Sequence, residues 1–205
     1  MLELSGDGTG REGERMYKLV MIEDIVDIPP HLFGKQLEEA ALEVLRETYE
    51  GRVVEGVGLV ISVLSVEVSP EGYLTFGDPS SYHECRFVAL VYNAIPNEVV
   101  EGEVVLVENI GLTVRLGVID GFVHRSQVFP TKDVIYDRDQ GVVIAESGKR
   151  VIRRGDIVRA RVTGVSYDEL KGILRVRLTM RAPYLGRLDH IREMIEKRKE
   201  ADKSE

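Results

Sequence analysis

The stretch Arg154-Gly-Asp-Ile-Val-Arg-Ala-Arg-Val162 decides how the second half of this 205-residue chain folds. Side chains alternate across an extended strand, so Val158, Ala160 and Val162 share one face while Arg159, Arg161 and Thr163 take the other. The run 173–179 repeats the pattern, with Leu174, Val176 and Leu178 on one face and Arg175 and Arg177 opposite. Leu112, Val114 and Leu116 repeat it again, with Arg115 opposite. Further short β-rich runs at 103–108, 121–124 and 141–145 arrive at regular spacing with glycine punctuation and no long helix between them. Five or six short antiparallel strands of this kind predict a small closed barrel. An aliphatic interior then forces the arginines outside. Their planar donors suit phosphates and stack on bases.

Upstream of 96 the grammar is different. Residues 1–15 are glycine-rich and charged with no apolar period, and are expected to be a disordered extension. A strand over 17–22 ends at Asp27-Ile-Pro-Pro30, and Phe33-Gly34 follows as a turn. Between 35 and 49, Leu37, Ala40, Ala41, Val44, Leu45 and Thr48 recur at three- and four-residue steps, a helix with one buried face stopped at Gly51. The run 58–68 is long and β-branched, Ser69-Pro-Glu-Gly72 is expected to turn, and 85–92 is a further strand after the Gly77-Asp78-Pro79 break. Strand, helix and strands make a small α+β module over 16–95, followed by the barrel over 96–182. A final helix from Leu185 to about Glu200, with Leu185, Leu188, Ile191 and Ile195 on one face, occupies the segment 183–205.

Net charge follows the same division. The whole chain carries −8. Residues 1–80 hold six basic against sixteen acidic groups, and 150–181 hold nine against three, nets of −10 and +6. Two modules with different partners are expected from such a split. No window reaches the run of about 18 apolar residues of a membrane span, and the first fifteen residues lack the apolar stretch of a secretory signal, so a cytoplasmic protein is expected. One cysteine, Cys85, excludes a disulfide framework and reads as a quiet buried thiol.

Beside the arginine strands stands Gly121-Phe-Val-His-Arg-Ser126. Phe122 and His124 are flat rings on which an unstacked base could lie. Phe122 could equally fill the barrel, and His124 could be a hydrogen-bonded strand end. Catalytic constellations are poor. His31, His83, His124 and His190 stand at no metal-ligand spacing to one another or to Cys85, so no metal and no cofactor are expected. Asp133, Asp137 and Asp139 are interleaved with Lys132 and Arg138 and read as a polar loop. No phosphate-binding glycine–lysine loop and no nucleophile elbow occur.

The stretches 100–116 (VEGEVVLVENIGLTVRL), 120–126 (DGFVHRS) and 154–162 together resemble the S1-type OB-fold domain. With the opening Met16-Tyr-Lys-Leu, with Pro29-Pro-His-Leu-Phe-Gly34 and with the sequel Leu178-Thr-Met-Arg-Ala-Pro-Tyr-Leu-Gly186, the whole of about 16–190 resembles a polymerase family. It is that of the larger, E-prime-type stalk protein of archaeal DNA-directed RNA polymerase, counterpart of the eukaryotic seventh subunit. The resemblance implies a non-catalytic role. The first module would dock on the RNA polymerase core subunits near the clamp, through Pro29, Pro30, Phe33, Gly34, Gly77 and Asp78. The small stalk partner of that family, F, would complete a heterodimer. The barrel would meet nascent single-stranded RNA through Arg115, Phe122, His124, Arg159, Arg161, Arg175 and Arg177, and would assist promoter opening and termination. It also implies that the family's sequence begins at Met16. Where S1-type domains often carry aromatics, this chain has Ile110-Gly111 and Thr113, which leaves stacking to Phe122 and His124. A free-standing OB-fold factor of translation or RNA decay, or a scaffold whose arginine face meets an acidic protein, are the alternatives.

Overall fold

The computed structural model describes residues 15–131, 134–138, 140–145, 150–168 and 173–202, so the expected extension lies almost wholly outside the described residues. The chain divides into two units, one ending at Asn93 and the next beginning at Ala94.

The first unit is a four-stranded antiparallel sheet with one helix on one face. Its elements are β1 (Tyr17–Ile28), α1 (Leu37–Tyr49), β2 (Val53–Val54), β3 (Gly58–Leu74) and β4 (Ser81–Tyr92), in the order β1-β4-β3-β2. The apolar stripe of α1 buries Ala40, Ala41 and Leu45 in one cluster with Ile22, Val26, Val60, Val63, Phe87, Ala89 and Val91. The two alanines carry no bulk to hold the helix off the sheet, and Glu38 and Glu39 in the first turn complement the helix dipole. At the other end, the Glu50 carboxylate accepts from Ser62 Oγ (3.0 Å) and Val63 N–H (2.9 Å), beside a register shift in β3.

Two expectations change here. β1 runs on from Ile22 to Ile28 and stops only where Pro29 removes a donor. Ser69-Pro-Glu-Gly72 is not the turn between strands: β3 continues through it to Leu74, with a register shift between Val68 and Gly72 that lets Pro70 sit where the ladder asks for no donor. His83 makes the bulge possible. One ring nitrogen lies 2.9 Å from the Ser69 carbonyl oxygen and the other 3.2 Å from Ser81 Oγ. Gly72 lies flat against that ring, and a Cβ there would stand 2.4 Å from His83 Cε1. The real turn is 75–80.

The second unit holds β5 (Val99–Glu108), β6 (Gly111–Arg115), β7 (Asp120–His124), β8 (Val134–Asp137), β9 (Val142–Ala145), β10 (Val151–Arg153), β11 (Ile157–Asp168), β12 (Ile173–Thr179), β13 (Gly186–Arg187) and α2 (Leu188–Asp202). The main sheet runs β12-β7-β6-β5-β11-β13, and β12 also pairs with β11, which closes the barrel. Val104, Leu112, Val114, Val123, Val158, Ala160, Val162, Val176 and Leu178 fill it. The all-antiparallel expectation fails at one seam: β12 runs parallel to β7, because the chain crosses the barrel before it returns. The strand expected over 141–145 is real but lies outside the barrel, as the centre of a separate sheet β10-β9-β8 between β7 and β11. α2 begins at Leu188 rather than Leu185, since Gly186 and Arg187 are drawn into pairing with β11; Ile191 is its buried anchor. The architecture is α+β: a sheet-and-helix unit followed by a β-barrel. No helix among the described residues is long and apolar enough to cross a membrane.

Candidate nucleic-acid interface

Four barrel strands carry the sequence-derived residues outward. The β6–β7 register sets Thr113 against Phe122 and Gly111 against His124, and the β7–β12 register sets Arg177 on the other side of Phe122. Gly121 and Val123 point into the barrel, so Phe122 faces out. It is half-buried because its ring lies back over Gly111, where a Cβ would meet Phe122 Cζ at 2.9 Å. Next to Arg177, Thr163 Oγ1 donates to the Arg177 carbonyl at 3.1 Å. Gly164 leaves room for the Arg177 guanidinium, which a Cβ would approach to 2.9 Å. Ring, guanidinium and the exposed Arg161 therefore share the outer surface of β7, β12 and β11. Arg175, also exposed, precedes Arg177 by one alternation on β12.

The other two arginines are engaged by acids on the neighbouring strands, outside the basic segment 150–181. Arg159 stands opposite Glu101 on β5 and grips its Oε1 through Nε at 2.8 Å and Nη2 at 2.7 Å. Arg115 lies between Glu103 and Asp120 in the register and pairs with Asp120 at 3.6 Å. The outer face of β5 is thus an acidic edge to the arginine surface. A strand pattern tells which residues face outward, but only the pairing tells which carboxylate lies opposite.

His124 is exposed, yet its Nδ1 has a structural task. It accepts from the Ser126 backbone N–H at 3.3 Å and lies 2.8 Å from Ser126 Oγ, capping the short turn Arg125–Gln127. An acceptor at Nδ1 places the proton of the neutral ring on Nε2.

The docking residues expected in the first unit gather at one end of its sheet. Ile28 lies opposite Ser81 and Ser81 opposite Leu74, so the segment 29–34 leaves β1 beside the turn 75–80. Leu32 is the buried anchor of the 3-10 turn Pro30–Leu32, while Pro30, Phe33 and Gly34 are exposed. Gly77 adopts φ +88°, a turn position that favours glycine. Asp78 works within the turn. Tyr82 donates to its Oδ2 at 2.5 Å and Ser80 N–H to its Oδ1 at 2.9 Å, which holds the carboxyl below the usual carboxylate range. Tyr73 stacks on Tyr82 at 5.4 Å and 16°. Two exposed apolar residues beside them were missed from sequence, Leu74, 73% exposed, and Phe76, wholly exposed; an apolar pair on either side of Thr75, just before the Gly77-Asp78 break, was the available signal. Of the aspartates read as a polar loop, Asp137 ends β8 and accepts from Gln140 N–H at 3.1 Å; Lys132, Asp133 and Asp139 lie outside the described residues.

Fold and surface together define a two-unit protein with an S1-type barrel. Residues 23–79 match the family described as the SHS2 domain found in the N terminus of Rpb7p/Rpc25p/MJ0397, and 94–177 match the S1 RNA binding domain. The chain is 47% identical over 177 residues to the DNA-directed RNA polymerase subunit Rpo7 of Saccharolobus solfataricus, covering 86% of this chain and 97% of that protein. It is 40% identical over 183 residues to the same subunit of Sulfolobus acidocaldarius, covering 89% and 98%. The DNA-directed RNA polymerase III subunit rpc8 of Schizosaccharomyces pombe is 29% identical over 122 residues, 60% of this chain and 57% of that one. The chain belongs to the Rpo7 family of DNA-directed RNA polymerase subunits.

Proposed function

We propose that the barrel holds single-stranded RNA on Phe122, Arg177, Arg161 and Arg175, with His124 at the end of the ring row, while the first unit attaches this non-catalytic subunit to the polymerase. The observation that carries the RNA reading is the juxtaposition of an outward ring and an outward guanidinium on adjacent strands, each given its space by a glycine. A base stacks on the ring and its phosphate meets the guanidinium, an arrangement tolerant of sequence. RNA leaving the enzyme is the substrate that fits a binder without a reading edge. Arg159 and Arg115 contribute less, since Glu101 and Asp120 already neutralise them.

Docking on the core falls to the tip, where Pro30, Phe33, Leu74 and Phe76 expose apolar surface around the ordered Asp78 turn. The small partner F has a second surface. Tyr17, Leu19, Met21 and Ile25 project from the face of β1 opposite to α1, with Leu19 against Leu90 and Met21 against Val88. Exposed apolar rows of this kind mark protein contacts. The RNA reading is tested by fluorescence anisotropy of a labelled uridine oligomer across a salt series. Changing Arg161, Arg175 and Arg177 to Ala together is expected to abolish most binding and flatten the salt dependence, each lost phosphate contact removing about 0.7 from the logarithmic slope. An unchanged affinity at low salt would place the RNA elsewhere.

A further inference from the structure

The return from β12 to β13 contains a strained backbone position that lies outside the barrel closure. Leu185 N–H donates to the Ala182 carbonyl at 3.2 Å, closing a four-residue turn with Pro183 second and Tyr184 third. Tyr184 adopts φ +61°. That is the type II turn position where glycine is the unstrained choice, and a bulky side chain there is an outlier. Strain of this kind persists where something offsets it. Core packing does not, since Tyr184 remains 40% exposed. Its hydroxyl accepts one hydrogen bond, from Arg198 Nη1 on α2 at 2.6 Å, an exposed contact.

The turn lies at the rim of the arginine surface. At its start, Met180 N–H donates to the Gln127 carbonyl and Thr179 Oγ1 to Gln127 Oε1, both at 2.8 Å, while Arg181 Nη2 donates to the Pro130 carbonyl at 3.1 Å. These bonds tie it to the turn that follows His124. At its end, Gly186 pairs with Arg159 on β11, two residues from Arg161. The exposed ring of Tyr184, with the Arg198 guanidinium at its hydroxyl, therefore sits on a turn held at one end to the segment after His124 and at the other to β11 beside Arg159.

We propose that Tyr184 is a second stacking platform for single-stranded RNA, with Arg198 meeting the adjoining phosphate, and that the ring is what offsets the strain of the turn. The inference rests on the RNA reading of the barrel and extends its path. Titration of the full chain with a labelled twenty-residue uridine oligomer tests it, with Tyr184→Gly, Tyr184→Phe and Phe122→Ala measured side by side. Tyr184→Gly relieves the backbone and removes the ring. Its melting temperature is expected to stay level or rise while RNA affinity falls about tenfold, within the range for losing one base–aromatic stack. Tyr184→Phe is expected to keep wild-type affinity to within about twofold, because stacking needs the ring and not the hydroxyl. Wild-type affinity in Tyr184→Gly alongside a weakened Phe122→Ala would overturn this proposal and leave the barrel reading standing. No loss in either variant overturns both. A sharp fall in the melting temperature of Tyr184→Gly would make the ring a structural strut, also against the proposal.

Discussion

At the scale of single residues, the structure turns a uniform arginine face into groups with different tasks. Arg159 is held by Glu101 through two nitrogens, so on the proposed RNA face it meets a phosphate only in competition with that carboxylate. Glu101→Gln is expected to tighten RNA binding several-fold at low salt and to steepen the salt dependence, measured by the same anisotropy titration. Gly72 gives a second test. A Cβ there would enter the His83 ring, so Gly72→Ala is expected to loosen the bulge and speed hydrogen exchange over 69–76 while leaving the α1 core protected. Cys85 is buried between Asp24 and Val68 in the register, and burial first, then the Asp24 charge, push its thiol up to about 11. A disulfide reagent at pH 8 is expected to leave it unlabelled until the protein unfolds. The outward face of the arginines was legible from alternation alone, whereas Phe122 stood open between barrel and surface until Gly121 and Val123 were seen to lie inside. Glu101, His83 and Tyr184 were not legible, because cross-strand register and a backbone angle do not appear in a single strand's pattern.

Among the elements, the lesson of β3 is that proline and glycine mark an interruption without saying whether the chain turns or bulges. Ser69-Pro-Glu-Gly72 carries the composition of a turn, and the buried His83 on the neighbouring strand decides for a bulge. The same limit applies to 141–145, whose apolar run announces a strand but not which sheet receives it. Helix α1 was legible because its stripe of Ala40, Ala41 and Leu45 has no other way to be buried. Leu45→Ala is expected to cost about 2–5 kcal/mol in chemical denaturation, as large-to-small changes in packed cores do. The tip turn depends on ionised Asp78. Hydrogen bonds from Tyr82 and Ser80 lower its folded pKa below the unfolded one, so their contribution is complete above the ordinary carboxylate range and is lost as pH falls through the depressed value. Tyr82 ring resonances are expected to be constant through neutral and mildly acidic pH and to shift only in strong acid, and Asp78→Asn is expected to remove that transition.

For the whole molecule, the average charge of −8 describes neither unit. The acidic unit presents apolar residues at its tip and along β1, and the barrel presents arginines and rings, so the proposed attachment and the proposed RNA contact fall on different surfaces. Capture of core polymerase by the full chain tests that separation most directly, using Phe33→Ala with Phe76→Ala as one variant and Arg161→Ala with Arg177→Ala as the other. The tip variant is expected to lose capture and keep RNA affinity, and the barrel variant to keep capture and lose RNA affinity. Retention of core binding by the tip variant, or its loss from the barrel variant, would contradict this division of labour.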